Sequence, residues 1–160
     1  MTIKPGDPVP TATVYEMGAD GPVAVSSDDL FKGKTVMLFG VPGAFTPTCS
    51  AQHVPGFKQL ADQFKAKGVD EIVCFAVNDP FVMGAWGKDQ AVAGKVRMIA
   101  DGSGELTKKM GLEMDLIARG LGTRSQRFAM LIKDGVVKTL DVEAPGKFEV
   151  SSAEAQLSKL

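Results

Sequence analysis

The sequence carries only two thiols, Cys49 and Cys74, and a single histidine, His53. Cys49 closes the stretch Val41-Pro42-Gly43-Ala44-Phe45-Thr46-Pro47-Thr48-Cys49, which joins a hydrophobic run, Val36-Met37-Leu38-Phe39, to an amphipathic segment. Proline is favoured just inside a helix start, because its missing N–H would be unpaired there anyway and its fixed φ suits the first turn. With Pro47 as the first helical residue, Thr46 becomes the N-cap and Cys49 the third helical position. Unpaired N–H groups and the positive end of the helix dipole favour a thiolate at such a place. The competing reading is a buried cysteine packed like any small apolar residue.

A thiolate nucleophile needs positive or hydrogen-bonding groups around it. Thr46, three residues before Cys49, can turn its hydroxyl to the sulfur, to an oxygen bound beside it, or to the backbone as an ordinary cap. Pro42 either ends a strand or narrows the loop and shields the thiolate from water. His53 follows Cys49 by four residues, one helical turn on the same face. It can tune the sulfur, line a substrate pocket, serve structure, or form half a metal site for which no second histidine exists. Arg124 and Arg127 precede a strongly apolar run. Arg127 is the better placed to meet a thiolate and a developing oxyanion, since it begins the strand itself. Cys74, in the middle of a buried strand, reads as structural. The stretch Asp101-Gly102-Ser103-Gly104-Glu105 lacks the third glycine and the lysine of a phosphate loop and is taken as a turn and helix start. Trp86 and the eight methionines fill core or an interface.

The elements that must position these groups follow from pattern. The 160 residues fit one domain spanning 1–160. A net charge of -1 gives no electrostatic reason to expect nucleic acid or an anionic membrane as partner. The first residues lack the apolar region of a secretory signal and no run is long enough to span a bilayer, so a cytoplasmic location is expected. Residues 4–10 hold three prolines and form an extended arm. Residues 11–16 and 22–26 form a hairpin, 27–33 a capped turn or one-turn helix, and 35–41 a central strand covered on both faces. Val54, Phe57, Leu60, Ala61 and Phe64 recur at helical spacing up to Gly68, with a kink or interruption expected at Pro55. Residues 71–77 and 96–100 are strands, 81–92 and 104–110 helices, and 112–126 a long irregular connection. Residues 127–133 and 136–142 flank an Asp134-Gly135 hairpin turn, and Ser151-Ser152-Ala153-Glu154 is a capping box opening a last helix. No repeat or low-complexity tract interrupts this order. It implies an α/β fold with a mixed central sheet flanked by helices, a pattern that matches the thioredoxin-like class.

Pro42-Gly43-Ala44-Phe45-Thr46-Pro47-Thr48-Cys49 resembles the Pro-x-x-x-Thr/Ser-x-x-Cys signature of the peroxiredoxins. Its extension through His53-Val54-Pro55-Gly56-Phe57 resembles the peroxiredoxin 5-like (type II, atypical) subfamily. Segments 68–74, 77–83, 100–104 and 124–128 recur in that subfamily in the same order, so the resemblance runs from about residue 4 to the C-terminus. It implies a thiol peroxidase on a thioredoxin-like fold, reducing hydrogen peroxide and organic hydroperoxides. Cys49 would be the peroxidatic cysteine, oxidised to sulfenic acid. Pro42 would shield it, Thr46 and Arg127 would hold thiolate and peroxide, and Arg124 would orient Arg127 from behind. Gly43, Phe45, Thr48 and His53 would line the pocket or support it.

No metal and no organic cofactor is implied, and homodimers are common in the subfamily. The chain departs from animal members in lacking a resolving cysteine between residues 143 and 153. Cys74 matches a cysteine of plant members and is a possible secondary thiol. The economical expectation is one-cysteine turnover with glutathione, glutaredoxin or thioredoxin as reductant, as in the glutaredoxin/glutathione-dependent group. A second function class is a peroxide-sensing thiol protein that relays oxidation to a partner. Dithiol exchange is disfavoured, because no Cys-x-x-Cys occurs.

Overall fold

The computed structural model describes residues 1–160. Nine strands are present: β1 (Thr13–Gly18), β2 (Gly21–Ser26), β3 (Thr35–Val41), β4 (Glu71–Ala76), β5 (Arg97–Ala100), β6 (Glu113–Leu116), β7 (Gly122–Ser125), β8 (Phe128–Lys133) and β9 (Val136–Val142). Five α-helices accompany them: α1 (Ser27–Phe31), α2 (Val54–Ala66), α3 (Pro80–Gln90), α4 (Glu105–Met110) and α5 (Ala153–Leu157). Seven strands form one sheet in the order β2-β1-β5-β4-β3-β8-β9. Within it β3, β4 and β5 run parallel, while β1 and β8 join them antiparallel. This is the mixed, helix-flanked sheet with an N-terminal hairpin that the thioredoxin-like pattern predicts.

Strand β3 shows why both faces must be covered. Met37, Phe39 and Val41 point into one apolar cluster with Phe57 and Phe64 of α2, Met83 and Trp86 of α3, and Ala153 of α5. Val36 and Leu38 point into the other, with Leu30 and Phe31 of α1 and Leu106 and Met110 of α4. The period of two therefore assigns alternate residues to opposite helical layers, which explains an apolar run without polar alternation. No helix is long and apolar enough to cross a membrane.

Several expectations hold closely. Residues 134 and 135 turn with φ of 48° and 77°, the twist that an Asp-Gly hairpin turn favours. The proline-rich arm is extended only in part: Lys4–Asp7 turns, the Asp7 amide donating to the Lys4 carbonyl and Gly6 at a φ of 95°, while the Gly6 and Val9 amides donate to Val137 and Gly135. Two expectations fail. Residues 112–126 are not irregular: β6 and β7 pair with each other in a separate two-stranded sheet around a 3₁₀ turn, Ile117–Arg119. The last helix is capped by Ser152, whose hydroxyl accepts from the Ala155 amide. Ser151 is drawn instead to Glu143, so no Ser151–Glu154 capping box forms.

Gly40 faces Phe128 across the β3–β8 pair. A Cβ at Gly40 would lie 2.1 Å from the Phe128 ring, so the glycine is what lets that ring cross the strand. Gly40→Ala is expected to destabilise the protein by about 1–3 kcal/mol through overpacking, read as a lower urea midpoint. Adding Phe128→Leu should recover part of the loss.

Candidate active site

Three elements converge on Cys49. The first is the helix start, where Pro47 is indeed the first helical residue and the Ser50 amide donates to the Thr46 carbonyl at 3.0 Å. The turn then widens: Cys49–His53 is π-helical, with the Val54 amide reaching back to the Cys49 carbonyl before α2 continues. Pro55 has no N–H to give the preceding turn, so the interruption expected there takes the form of this π turn. Trp86 of α3 pins it by donating from Nε1 to the Ser50 hydroxyl at 3.0 Å.

The second element is the loop after β3. Thr46 Oγ1 lies 2.8 Å from Cys49 Sγ and 2.7 Å from the Gly43 carbonyl oxygen. A hydroxyl has one proton to donate. Toward a thiolate it turns to the sulfur; toward a thiol it accepts the S–H and donates to Gly43. Of the roles weighed for Thr46, the hydroxyl takes the one directed at sulfur, and its backbone contact is with the Gly43 carbonyl rather than with a helix amide. The loop is fixed from outside by Asn78, whose Oδ1 accepts from the Ala44 amide at 2.9 Å, and by Arg124.

The third element is the residue before β8. Arg127 donates from Nη2 to Cys49 Sγ at 3.1 Å and from Nη1 to His53 Nδ1 at 2.8 Å. A guanidinium only donates, so Nδ1 is the unprotonated nitrogen and Nε2–H points to the Ser151 carbonyl at 2.9 Å. His53 has no exposed surface and packs against Phe39, with ring centroids 4.7 Å apart. Burial, and next the Arg127 charge, push its pKa down to about 3. The histidine is therefore neutral through the physiological range.

The structure corrects several finer expectations. His53 reaches Cys49 only through Arg127, and both its ring nitrogens are occupied, which leaves no donor for a Cys49–His53 metal half-site. Across the protein no three His, Cys, Asp or Glu side chains gather as a metal group would require. Arg124 does not orient Arg127: its Nε donates to the Leu121 carbonyl at 2.8 Å and its Nη1 to that of Pro42 at 3.2 Å. Gly43 makes room for it, since a Cβ there would sit 2.6 Å from Arg124 Nη1. Phe45, with φ of 63°, is 53% exposed and turns toward Trp86 at 6.4 Å between centroids.

Cys49 has no exposed surface, but it lies beside an open cleft of about 680 Å³ whose walls include Pro42, Thr46, Thr48 and Arg127. Leu116 and Leu121, within the excursion carrying β6 and β7, also line it. Cys74 is also without exposed surface and sits on β4 opposite Phe39 of β3. Burial, and after it the Cys49 charge, push its thiol well above the usual range.

The redoxin family model matches residues 4–157. Peroxiredoxin-2B of Arabidopsis thaliana is 53% identical over 159 residues, which cover 99% of this chain and 98% of that one. Among solved structures, reduced Prx3 of Vibrio vulnificus in complex with hydrogen peroxide is 53% identical, covers 99% of each chain and superposes with a TM-score of 0.95. Peroxiredoxin 5 of Alvinella pompejana is 40% identical over 98% of this chain and 96% of its own, with a TM-score of 0.87. Similarity of this extent leaves one family: the chain belongs to the peroxiredoxins, in their type II, peroxiredoxin 5-like subfamily, and is a thiol peroxidase that reduces peroxides through a peroxidatic cysteine.

Proposed function

We propose that Cys49 is the peroxidatic cysteine and that the whole chain is one catalytic domain working with a single reactive thiol. The observation that carries this is the pair of donors on one sulfur, Thr46 Oγ1 at 2.8 Å and Arg127 Nη2 at 3.1 Å. The thiolate attacks the terminal oxygen of ROOH; the S–O bond forms as the O–O bond breaks, and RO⁻ leaves to take up a proton. Sulfur is oxidised to sulfenic acid and the peroxide oxygen is reduced. Arg127 and Thr46 hold the negative charge as it moves from sulfur to the leaving oxygen, and Pro42 closes the cleft wall against water. One R′SH then condenses with the sulfenic acid, giving a mixed disulfide and water. A second releases Cys49 and forms R′SSR′.

The open cleft beside Cys49 suits both hydrogen peroxide and a larger organic hydroperoxide. Cys74, wholly buried with its thiol pushed up, is a poor resolving group. Glutathione, glutaredoxin or thioredoxin is therefore the reductant in this reading, acting in the cytoplasm. Exposed Phe45, on the loop that carries Thr46, supports a homodimer through a face near the active-site loop, which sedimentation of wild type against Phe45→Ser tests.

Peroxide consumption separates the readings. Cys49→Ser should abolish turnover of hydrogen peroxide and an organic hydroperoxide with every reductant, while Cys74→Ser keeps it. Arg127→Gln should lower the peroxide rate constant on the order of 10²-fold, the usual cost of losing one oxyanion donor. An active Cys49→Ser sinks the assignment, loss of turnover in Cys74→Ser alone overturns the one-cysteine mechanism, and stoichiometric oxidation without turnover marks a sensor.

The same reading needs a neutral His53, because an imidazolium would repel Arg127. Unfolded, the histidine takes up its proton near 6.5; folded, not until about 3. Between those values the unfolded chain holds more protons. The contribution to stability is thus complete above pH 6.5 and is lost as pH falls toward 3, at about 1.4 kcal/mol per pH unit. Urea unfolding is expected to show stability lower by about 2 kcal/mol at pH 5 than at pH 7, with the slope reduced by one proton in His53→Asn. Glu143 and Asp141, whose carboxyls are held below their ordinary range, lose their contribution only at more acidic pH.

A further inference from the structure

The segment after β9, residues 143–152, supplies no group to the chemistry above, yet it holds the far side of the Arg127 guanidinium. Glu143 is only 7% exposed. Its Oε2 accepts from the amides of Glu149, Val150 and Ser151 at 2.9, 3.0 and 2.8 Å and from the Ser151 hydroxyl at 2.6 Å. Burial works to raise its pKa, but the Ser151 hydroxyl and these amides outweigh it and keep the carboxyl below its ordinary value. Its own amide donates to the Arg127 carbonyl at 2.9 Å, extending the β8–β9 ladder by one pair. One residue thus anchors the Arg127 backbone with its main chain and a loop with its side chain.

That loop returns to the same arginine. Ser151, wholly buried, presents its carbonyl to His53 Nε2 at 2.9 Å, and His53 Nδ1 meets Arg127 at 2.8 Å. Phe148 closes the cage, 4.9 Å from the His53 ring and 5.9 Å from Arg127 Cζ. No carboxylate pairs with Arg127: the side-chain partners of its guanidinium are the sulfur and the imidazole. The orientation of the guanidinium then depends on which His53 nitrogen lacks a proton, and the Ser151 carbonyl decides that.

We propose that Glu143 is a positioning residue for the peroxidase reaction: its carboxylate shapes the 143–151 loop so that the Ser151 carbonyl fixes the His53 tautomer and, through it, the Arg127 guanidinium at Cys49. The inference rests on Cys49 as the reacting sulfur. A residue that merely stabilised the loop would affect every reaction of Cys49 alike. A positioning residue affects the one in which charge develops on a leaving oxygen that Arg127 must meet.

Two rates on the same protein make the distinction: stopped-flow oxidation by hydrogen peroxide, and alkylation by iodoacetamide, both read on the high-pH plateau of the alkylation rate, where the sulfur is fully ionised in every variant and alkylation leaves no oxyanion for Arg127 to hold. Glu143→Gln, nearly isosteric, should slow oxidation about tenfold, within the range that sub-ångström misplacement costs, with alkylation changed less than about twofold. His53→Asn keeps an acceptor toward Arg127 but gives up the Ser151 carbonyl, so adding Glu143→Gln to it should cost less than about a further twofold if both lie on one path. Equal slowing of both reactions, no slowing of oxidation, or full multiplication of the two costs overturns the proposal. Should Glu143→Gln not fold, Ser151→Ala decides, since it removes one donor and keeps the carbonyl: selective slowing of oxidation by about threefold supports the relay, and its absence overturns it. Failure of the Cys49 assignment itself is distinguishable, because it shows beforehand as peroxide consumption by Cys49→Ser.

Discussion

A guanidinium without a carboxylate partner is the constraint around which this site is built. Arg127 bridges Cys49 Sγ and His53 Nδ1, so its charge is balanced by whatever negative charge the sulfur carries. Removing a cation from bulk water has a cost that is offset only when partners of the right sign and geometry surround it. A neutral imidazole supplies geometry without charge, and in the proposed reaction a thiolate at Cys49 would supply the charge. Had evolution placed a carboxylate where His53 stands, Arg127 would be satisfied without the sulfur and would favour the thiolate less. The depressed basicity of His53 thus leaves Arg127 with no second charge beside it other than one the sulfur would carry in the proposed reaction.

The fold creates this pairing by register. Arg127 and Cys49 are 78 residues apart in the chain, but β3 and β8 are antiparallel neighbours with Gly40 opposite Phe128. The residue before β8 therefore emerges beside the loop that leaves β3. Sheet pairing brings the backbones together, and the π turn at Cys49–His53 sets the sulfur and imidazole where one guanidinium can span both. A slip of one residue in the pairing would send Arg127 to the opposite face of the sheet. The close fit of Phe128 over Gly40 fixes the pair against such a slip.

Much of this could be read from the residues, and the parts that could not share a physical reason. The buried strands β3 and β4, the Asp134-Gly135 hairpin and the Pro47 helix start are encoded by near neighbours, through apolar runs, turn chemistry and proline geometry. Strands β6 and β7 escaped because each is four residues long and they pair only with each other: Met114 and Leu116 alternate over too short a run to stand out, and Gly122–Ser125 has no apolar face. Arg124 stands three residues from Arg127 and has the same chemistry, yet it is turned to Pro42 and Leu121 by that same unforeseen hairpin. Glu143 and Ser151 gave no signal. Their partners depend on a loop closing over β8, and Ser151 offered a plausible local role as a cap, which Ser152 performs instead.

The two cysteines make a final point about what renders a sulfur reactive. Both lack exposed surface, and both belong to one apolar cluster. Burial raises the Cys74 thiol, and a negative charge on Cys49 would raise it further, so ionising one sulfur discourages the other. Cys49 differs in its donors: a hydroxyl and a guanidinium reach it, and it sits at a helix start beside an open cleft. Cys74, in mid-strand, has its backbone committed to the ladder with Phe39 and Met98 on either side. Exposure alone would not have chosen between them. The choice rests on hydrogen-bond donors gathered from distant parts of the chain, so the chemistry of this sulfur depends on tertiary structure as much as on the signature around it.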